Sequence, residues 1–437
     1  MRKTIILVRH GESDYNTKGL IQGNSDFSQL TDLGVKQAHT VANWLSELKI
    51  SAIYSSPLKR SVDTADIISK RCNILPNKFC IEKKLEEVNF GTWQGKNRNQ
   101  VQNEQSSIYK IWRNRPFDLN LDNRYPIRDL YQRVNIFLNE NIINKKEDKT
   151  VVIVAHKGTI SAVINLLLGL PKSHHHFLQI DRGSISVLQE RNAGSFELVF
   201  ANELPQESNS QPINFVTEER TPSEGEVFLV RHGQTKSNID KKYQGSKDIP
   251  LSFLGIQEIN NLSKSFTPRF PIRIYSSPLI RAKHSAEIIA KIHKIHAISY
   301  LNDLQEFRYG IWEGMSEKEV IENRTFEYYQ WHSAPTNIVI PDAEHILDAY
   351  NRCAKIWEYY KDDIESWKGS IVSVAHDISN RLIICNALDL PPSYIWSFKQ
   401  TNATVTVLAV KKNLDGKLRM LNHCNKPIKK RLLDEWL

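Results

Sequence analysis

One short stretch occurs twice in this chain and constrains the fold more than any other feature. An apolar run at 5–8 ends in Arg9-His10-Gly11, and a second run at 227–230 ends in Arg231-His232-Gly233. Apolar runs of this length that stop at a glycine are typical of buried strands. Ligands bind at the carboxyl ends of strands in open α/β sheets. Each repeat therefore places an arginine and a histidine side by side at a ligand-binding edge.

The repetition extends over a whole domain. Five further pairs of segments match in the same order and at nearly the same offset. They are 19–23 with 242–245, 30–34 with 251–255, 54–60 with 275–281, 90–95 with 309–314, and 152–156 with 372–376. A repeat of this length is far longer than the units of solenoid proteins. A chain of 437 residues also exceeds what one hydrophobic core usually supports.

Predicted strands alternate with predicted helices in the first half of the chain. The strands are expected at 4–8, 52–54, 150–155, 184–190 and 196–201, and the helices from Thr31 as N-cap, after the Ser-Ser-Pro at 55–57 to about 70, at 127–143 and at 160–168. This alternation favours an α/β fold. We predict two tandem three-layer α/β/α domains, each with a mostly parallel sheet.

Composition divides the chain into four segments. A polar stretch rich in proline and serine separates two long segments of mixed composition, and the last residues are basic. Such a stretch is typical of a linker. We predict a first domain at 1–202, a linker at 203–224, a second domain at 225–425 and a basic tail at 426–437.

The net charge and the cysteine content indicate which partners and which compartment to expect for this protein. The formal net charge of +9 is spread along most of the chain, and neither zinc-finger spacing nor a long basic helix is present. We therefore expect an anionic small molecule and no nucleic acid as partner. The five cysteines include no Cys-x-x-Cys pair, which favours a reducing compartment. No apolar run is long enough to span a bilayer, so we expect a cytoplasmic protein without membrane contact; its oligomeric state stays open.

No metal or other cofactor is predicted. The one cluster that suggests a metal, His174-His175-His176, lies in a predicted turn after Pro171, without a carboxylate at helical spacing. The chain also lacks a Gly-x-x-x-x-Gly-Lys-Ser/Thr string, which argues against a fused P-loop kinase.

Each half resembles the histidine phosphatase superfamily, the phosphoglycerate-mutase-like group. The resemblance depends on four elements in order: Arg-His-Gly after a strand, Ser-Ser-Pro-Leu-x-Arg, Leu-x-Glu-x-x-x-Gly, and a second histidine at a strand end. It covers almost the whole chain except the linker and the tail. The resemblance implies a phosphoryl transfer in which a histidine is transiently phosphorylated.

The site residues follow from this resemblance together with simple chemistry. A planar guanidinium binds two phosphoryl oxygens at once, which suits Arg9 and Arg60 in the first unit and Arg231 and Arg281 in the second. The resemblance implies nucleophiles, partner histidines and phosphate-contacting asparagines. These are His10 and His232, His156 and His376, and Asn16 and Asn238.

A carboxyl group must protonate the leaving group and later deprotonate water. In the first unit both Glu86 and Glu87 are candidates. In the second unit Gln305 stands opposite Glu86, whereas Glu306 stands opposite Glu87. The internal comparison, and the spacing to the following glycine that the family shows, assign this role to Glu87 and Glu306.

Three positions depart from the family pattern or invite a further role. Lys157 and Asp377 follow the second histidines, and we expect the lysine to attract a phosphate dianion and the aspartate to oppose it. That contrast predicts that the first unit is the stronger catalyst. Arg128 follows Tyr125-Pro126, where a guanidinium could bind a carboxylate or a second phosphate of the substrate.

The resemblance leaves three functions open. The interval between the acid and the second histidine is short in both units, which favours a phosphatase that admits water over a phosphoglycerate mutase. A non-catalytic regulatory binding protein is the third possibility. The stretch 19–31 and the tandem layout resemble a plant group of phosphatases that act on 2-carboxyarabinitol 1-phosphate. We therefore expect hydrolysis of a sugar phosphate or a phosphorylated acid, that compound among the candidates.

Overall fold

The computed structural model describes residues 3–145, 149–191, 194–206, 225–266, 268, 271–411, 414–424, 426 and 428–433. Two compact units divide the chain, residues 1–208 and 209–437. Most of the predicted linker, from residue 207 to residue 224, lies outside the described residues. The boundaries 1–202 and 225–425 stay predictions.

The first unit is built on a six-stranded sheet with the order β3-β2-β4-β1-β5-β6. Strands β1, β2, β3 and β4 run parallel, while β5 and β6 are antiparallel additions. The strands are β1 Thr4–Arg9, β2 Ala52–Ser55, β3 Phe79–Ile81, β4 Thr150–Ala155, β5 Ile185–Glu190 and β6 Phe196–Glu203. The helices are α1 Asp14–Thr17, α2 Asp32–Leu45, α3 Lys59–Arg71, α4 Arg98–Glu104, α5 Ser106–Asn114, α6 Pro126–Leu138 and α7 Lys157–Leu168.

The second unit repeats this design in the order β12-β11-β7-β10-β8-β9. The strands are β7 Gly225–Arg231, β8 Ile272–Ser276, β9 Ile298–Tyr300, β10 Ser370–Ala375, β11 Val405–Lys411 and β12 Leu414–His423. The helices are α8 Lys236–Ile239, α9 Phe253–Ser265, α10 Ile280–His293, α11 Glu317–Asn323, α12 Thr325–Ser333, α13 Ile346–Trp367, α14 Asp377–Ala387 and α15 Ile428–Leu433. The predicted fold class is thereby confirmed for both units.

Local sequence explains the elements that carry the site. Residues 5–8 of strand β1 are branched apolar residues whose side chains are buried, which is typical of a central strand. The side chain of Thr31 accepts a hydrogen bond from Gly34 N at the start of α2, so the predicted N-cap is confirmed. Among the helices, α2 packs against α3, and α6 packs against α7.

Part of the predicted basic tail belongs to the second unit. Residues 428–433 form α15, in which Ile428 and Arg431 are buried, and the Arg431 guanidinium donates to the carbonyl of Asn422. A buried apolar side chain and a satisfied guanidinium hold this segment against the fold. Residues 434–437 lie outside the described part of the chain.

Candidate active site

The strand register brings two histidines together in each unit. Strands β1 and β4 are parallel neighbours, and Arg9 pairs with Ala155 at their carboxyl ends. The next residues, His10 and His156, therefore leave the sheet side by side, with ring centroids 5.1 Å apart. In the second unit Arg231 pairs with Ala375, and the rings of His232 and His376 are also 5.1 Å apart.

The first histidine of each pair is held in one tautomer. His10 Nδ1 lies 2.7 Å from the carbonyl oxygen of Gly11, and His232 Nδ1 lies 2.7 Å from that of Gly233. Because a carbonyl only accepts, Nδ1 carries the proton and Nε2 keeps a lone pair. Burial, followed by the charges of the neighbouring arginines, holds the pKa of both histidines well below the usual value. Both rings are therefore neutral at neutral pH.

The second histidine of each pair has one satisfied and one unsatisfied nitrogen. His156 Nε2 is 2.8 Å from the Ser56 hydroxyl, and His376 Nε2 is 2.8 Å from the Ser277 hydroxyl. The opposite atom, Nδ1, is buried in both rings and has no hydrogen-bond partner within the described residues. Buried polar atoms without partners are rare in proteins. Their recurrence at equivalent positions indicates that a ligand completes the site.

One buried arginine in each unit likewise has both satisfied and unsatisfied nitrogens. Arg60 is 1% exposed and donates to the carbonyls of Gly23 and Ser25, while its Nε has no partner in the described part of the chain. Arg281 donates in the same way to Gly245 and Lys247, and its Nε is likewise unpartnered there. Burial lowers the pKa of each guanidinium to about 10, so both stay cationic at neutral pH.

The other predicted arginines lie at the ends of the central strands. Arg9 donates to the carbonyl of Ile180 at 2.7 Å, and Arg231 donates to that of Gln400 at 2.6 Å. Burial and then the charges of Arg60 and, more weakly, Arg9 lower the pKa of His156. These charges therefore act directly on the histidine pair.

The two predicted acids lie at the N-termini of the helices that follow the second histidines. Glu87 Oε2 accepts from Gly158 N at 3.0 Å, and Glu306 Oε2 accepts from Asp377 N at 3.0 Å. Burial and then the negative charge of Asp377 raise the pKa of Glu306. At Glu86 it is the backbone carbonyl that accepts a hydrogen bond at this helix start, from the Thr159 hydroxyl. The geometry thus distinguishes Glu87 from Glu86.

The predicted asparagines act in local caps. The side-chain oxygen of Asn16 accepts from the backbone and hydroxyl of Ser13, and that of Asn238 accepts in the same way from Thr235. With the oxygen engaged, the amide nitrogen is the group that could donate to a phosphate.

Arg128 makes contacts apart from the other predicted site residues. Its Nε donates to the carbonyl of Phe117, its Nη2 lies 3.6 Å from an Asp118 oxygen, and its guanidinium stacks on Tyr125. The side chain is 53% exposed. Its substrate-binding role stays a prediction.

Gly11 allows two stretches of backbone to pack closely against each other. A Cβ at this position would lie 2.2 Å from the carbonyl oxygen of Gly34, and one at Gly34 would lie 2.0 Å from that of Glu12. The missing side chain at Gly11 therefore lets the end of β1 lie against the start of α2. The pair Gly233 and Gly255 repeats this contact.

Comparison with known proteins agrees with this geometry. The family model for the histidine phosphatase superfamily (branch 1) matches residues 5–203 and again residues 227–422. The chain belongs to the histidine phosphatase superfamily. The expected function class is thereby confirmed: the protein is a phosphatase enzyme that acts on a small phosphorylated metabolite.

Individual relatives match either the whole chain or one unit. A 2-carboxy-D-arabinitol-1-phosphatase of Triticum aestivum is 25% identical over 93% of this chain and 82% of its own. Phosphoserine phosphatase 1 of Hydrogenobacter thermophilus is 33% identical over 42% of this chain and 85% of its own. A solved mycobacterial glucosyl-3-phosphoglycerate phosphatase in complex with VO3 is 28% identical, covers 45% of this chain and 96% of its own, and has a TM-score of 0.41.

Two residue pairs of this histidine phosphatase were missed from the sequence. Ser56 and Ser277 hold the second histidines, and the repeated Ser-Ser-Pro was the available signal. Arg133 and Arg352 reach from α6 and α13 to backbone carbonyls of the acid-bearing loops. Their signal was a Tyr-x-Arg sequence at 131–133 that returns at 350–352.

The histidine cluster of the first unit is part of the packing of this phosphatase. His175 Nδ1 lies 3.1 Å from the Tyr131 hydroxyl, and His176 Nε2 donates to the carbonyl of Trp112. In the second unit Trp396 donates to the carbonyl of Trp331 from the position of His176. Among the described residues, no group of His, Cys, Asp or Glu is arranged to hold a metal ion, and no helix is long and apolar enough to cross a membrane.

Proposed function

We propose that both units hydrolyse phosphate monoesters through a phosphohistidine on His10 or His232. The observation that supports this most strongly is the pair of neutral histidines at adjacent strand ends, beside a buried arginine whose Nε has no partner within the described residues. In this mechanism Nε2 of His10 attacks phosphorus, and the bond from phosphorus to the ester oxygen breaks. The second unit uses His232 in the same role.

The surrounding groups stabilise the charge that develops on the phosphoryl oxygens. Arg9, Arg60 and the Nδ1 proton of His156 donate to these oxygens in the first unit. Arg231, Arg281 and His376 have these roles in the second unit. Because the charge of a transferring phosphoryl group is spread over its oxygens, fixed donors supply most of the catalysis.

The carboxyl group completes both half-reactions. Glu87 or Glu306 gives its proton to the leaving oxygen, so that an alcohol departs. It then takes a proton from water, the water oxygen bonds to phosphorus, and the bond from phosphorus to nitrogen breaks. The products are inorganic phosphate and the free histidine.

The identity of the substrate is a further part of this proposal. We propose a sugar phosphate or a phosphorylated acid, and 2-carboxyarabinitol 1-phosphate is the candidate that the Triticum aestivum relative suggests. The five scattered cysteines, which include no Cys-x-x-Cys pair, support a reducing, cytoplasmic location.

Trapping the phosphorylated residue tests the mechanism. The protein is mixed with p-nitrophenyl phosphate, quenched in base because phosphohistidine is acid-labile, and mapped by mass spectrometry. We expect phosphate on His10 and His232. His10→Ala and His232→Ala should each remove one label, whereas His39→Ala, an exposed control on α2, should remove none.

Two results would contradict the proposal. Phosphate on another residue would refute the assigned nucleophiles. Conversion of 3-phosphoglycerate to its 2-phospho isomer without release of phosphate would instead establish a mutase.

A further inference from the structure

The second histidine of the second unit has a serine neighbour whose hydroxyl proton needs an acceptor. The Ser277 hydroxyl lies 2.8 Å from His376 Nε2, and both side chains are fully buried. The Ser277 oxygen also accepts from the N–H of Leu279 at 3.3 Å. In the described part of the chain, the Ser277 hydroxyl contacts no acceptor other than His376 Nε2. The hydroxyl proton is therefore directed at this nitrogen.

The position of the ring proton follows from counting donors and acceptors. Burial and then the charge of Arg281 hold the pKa of His376 well below its usual value, so the neutral ring carries one proton. With that proton on Nε2, both the Ser277 hydroxyl proton and the bare Nδ1 would be buried without partners. With the proton on Nδ1, the serine is satisfied, and a single N–H is left for a ligand oxygen.

The first unit repeats this contact with one more hydroxyl. The Ser56 oxygen lies 2.8 Å from His156 Nε2 and accepts from the N–H of Leu58 at 3.4 Å. Ser61 on α3 is also fully buried, and its oxygen lies 3.3 Å from the same Nε2. The second unit has Ala282 at the position of Ser61. Two hydroxyl donors therefore surround His156 Nε2, whereas one surrounds the equivalent atom of the second unit.

The nucleophilic histidines obtain the same tautomer from a different partner. Their Nδ1 atoms lie 2.7 Å from the backbone carbonyls of Gly11 and Gly233, so the bare Nε2 is presented for attack. The second histidines present the opposite atom, a protonated Nδ1. A backbone carbonyl persists in any substitution, whereas the hydroxyl of a serine can be removed.

We propose that Ser277 in the second unit, and Ser56 together with Ser61 in the first, are positioning residues that keep the proton of the second histidine on Nδ1. In this tautomer a fixed N–H donor is available for a phosphoryl oxygen without reorganisation during the reaction. Without the hydroxyl the proton can move to Nε2, and Nδ1 then presents a lone pair to an anionic group. This inference rests on the proposed function, because it assumes that Nδ1 donates to the phosphoryl group.

Kinetics of single-site proteins test the role of each hydroxyl. His10→Ala leaves the second site, and Ser277→Ala in this protein should lower kcat for p-nitrophenyl phosphate by about tenfold or more, since one fixed donor of this kind contributes about a hundredfold or more. His232→Ala leaves the first site, where Ser56→Ala should lower kcat less because Ser61 remains. Removal of both serine hydroxyls of the first site should match the loss caused by Ser277→Ala.

An added hydroxyl provides the reciprocal test in the second site. Ala282 holds the position of Ser61, so Ala282→Ser in the Ser277→Ala protein should restore part of the lost kcat. Ser333→Ala, an exposed change on α12, should leave kcat unchanged. Thermal melting checks that each variant is folded.

Nuclear magnetic resonance reads the tautomer directly and needs no turnover. The His10→Ala protein is labelled with ¹⁵N-histidine, and the ring signals that disappear in His376→Gln are assigned to His376. Long-range proton–nitrogen correlations distinguish a protonated from a bare ring nitrogen. We expect a protonated Nδ1 and a bare Nε2, and a shift of the proton towards Nε2 after Ser277→Ala.

The possible failures are distinguishable. A protonated Nε2 on His376 in the His10→Ala protein would overturn the assigned tautomer, whether or not Ser277→Ala folds. Unchanged kcat in a folded Ser277→Ala protein, or a loss of kcat without any change of tautomer, would overturn the positioning role. Absence of aryl phosphate hydrolysis in both single-site proteins would overturn the proposed function, while the resonance experiment would still decide the tautomer.

Discussion

Glu87 and Glu306 occupy equivalent positions but differ in their surroundings. Backbone N–H groups of Phe307, Asp377, Ile378 and Ser379 surround the Glu306 carboxylate. Burial and the charge of Asp377 nevertheless raise its pKa, while Arg231 and Arg281 oppose the rise. A raised pKa keeps a carboxyl group protonated at higher pH, which is what a general acid needs.

We predict that Asp377→Asn moves the alkaline limb of the pH–kcat profile of the second site to lower pH. Without the neighbouring negative charge, Glu306 ionises more easily, so its pKa falls and the proton for the leaving group is lost earlier. The profile is measured in the His10→Ala protein. Asp362→Asn, an exposed change on α13, should leave it unchanged, and an upward move of the limb would contradict this prediction.

The second residue of α7 is a glycine, whereas the second residue of α14 is not. A Cβ on Gly158 would lie 2.5 Å from Glu87 Oε1, whereas the second unit has Ile378 there. We predict that Gly158→Ala displaces the Glu87 carboxylate and lowers kcat of the first site roughly tenfold, since general acids contribute at least that much. The melting temperature should also fall somewhat, because the added Cβ would lie 2.9 Å from Cγ2 of the buried Val88.

The second site supplies the control for this substitution. Gly158→Ala in the His232→Ala protein should reduce kcat, whereas in the His10→Ala protein the rate should stay the same. A similar loss in both proteins would show that the substitution acts through general destabilisation.

At the scale of elements, a helix fixes each acid loop through one arginine. Arg133 on α6 donates to the carbonyls of Lys84 and Glu87. Arg352 on α13 donates to those of Asp303 and Gln305 and also binds both oxygens of Glu344. These long-range bonds set the position of the acids relative to the histidines.

We predict that Arg133→Lys lowers kcat of the first site while KM changes less, because an ammonium cannot reach both carbonyls in the geometry of a guanidinium. One half-buried carbonyl left unpaired should also lower the free energy of unfolding by about 1 kcal/mol. Urea denaturation and steady-state kinetics in the His232→Ala protein measure both effects. Arg115→Lys, an exposed change, is the control, and equal kcat values for the two variants would argue against a positioning role.

The sequence predicted the central elements better than the surrounding ones. Strands β1 and β4 were predicted closely because runs of buried branched residues define them. Helix α7 was expected from residue 160 but begins at Lys157, since its first residues lack an apolar period and His156 takes the N-cap position. The helices at 98–114 were not predicted, because α5 has no fully buried residue.

The site residues, too, were predicted only where a local sequence motif marks them. The histidines and Arg60 stand in repeated motifs that a single sequence displays. By contrast, Ser56 and Arg133 act through contacts 100 and 46 residues away along the chain, which only the fold brings together. The pairing of Asp377 with Arg381 also changes the expectation for the second unit, because the charge that should oppose phosphate is compensated.

At the scale of the whole molecule, each unit contains a full set of site residues. The histidine pair, the arginines and the acid of the first unit all lie within 1–208, and those of the second within 209–437. We therefore predict that the two sites act additively. With p-nitrophenyl phosphate, His10→Ala and His232→Ala should each keep a substantial part of the wild-type rate, and the double variant should retain only background.

The extent to which the negative charge of Asp377 is compensated determines how the activity divides between the two sites. If Asp377 carried an unbalanced charge, the second site would bind a phosphate dianion weakly, and His10→Ala would abolish nearly all activity. Because Arg381 and Arg231 share its Oδ1, we expect the second site to hydrolyse the aryl phosphate at a rate within about tenfold of the first, the first remaining faster. Initial rates of the three variants measure this division. Complete loss of activity in either single variant would show that one site depends on the other and would contradict additivity.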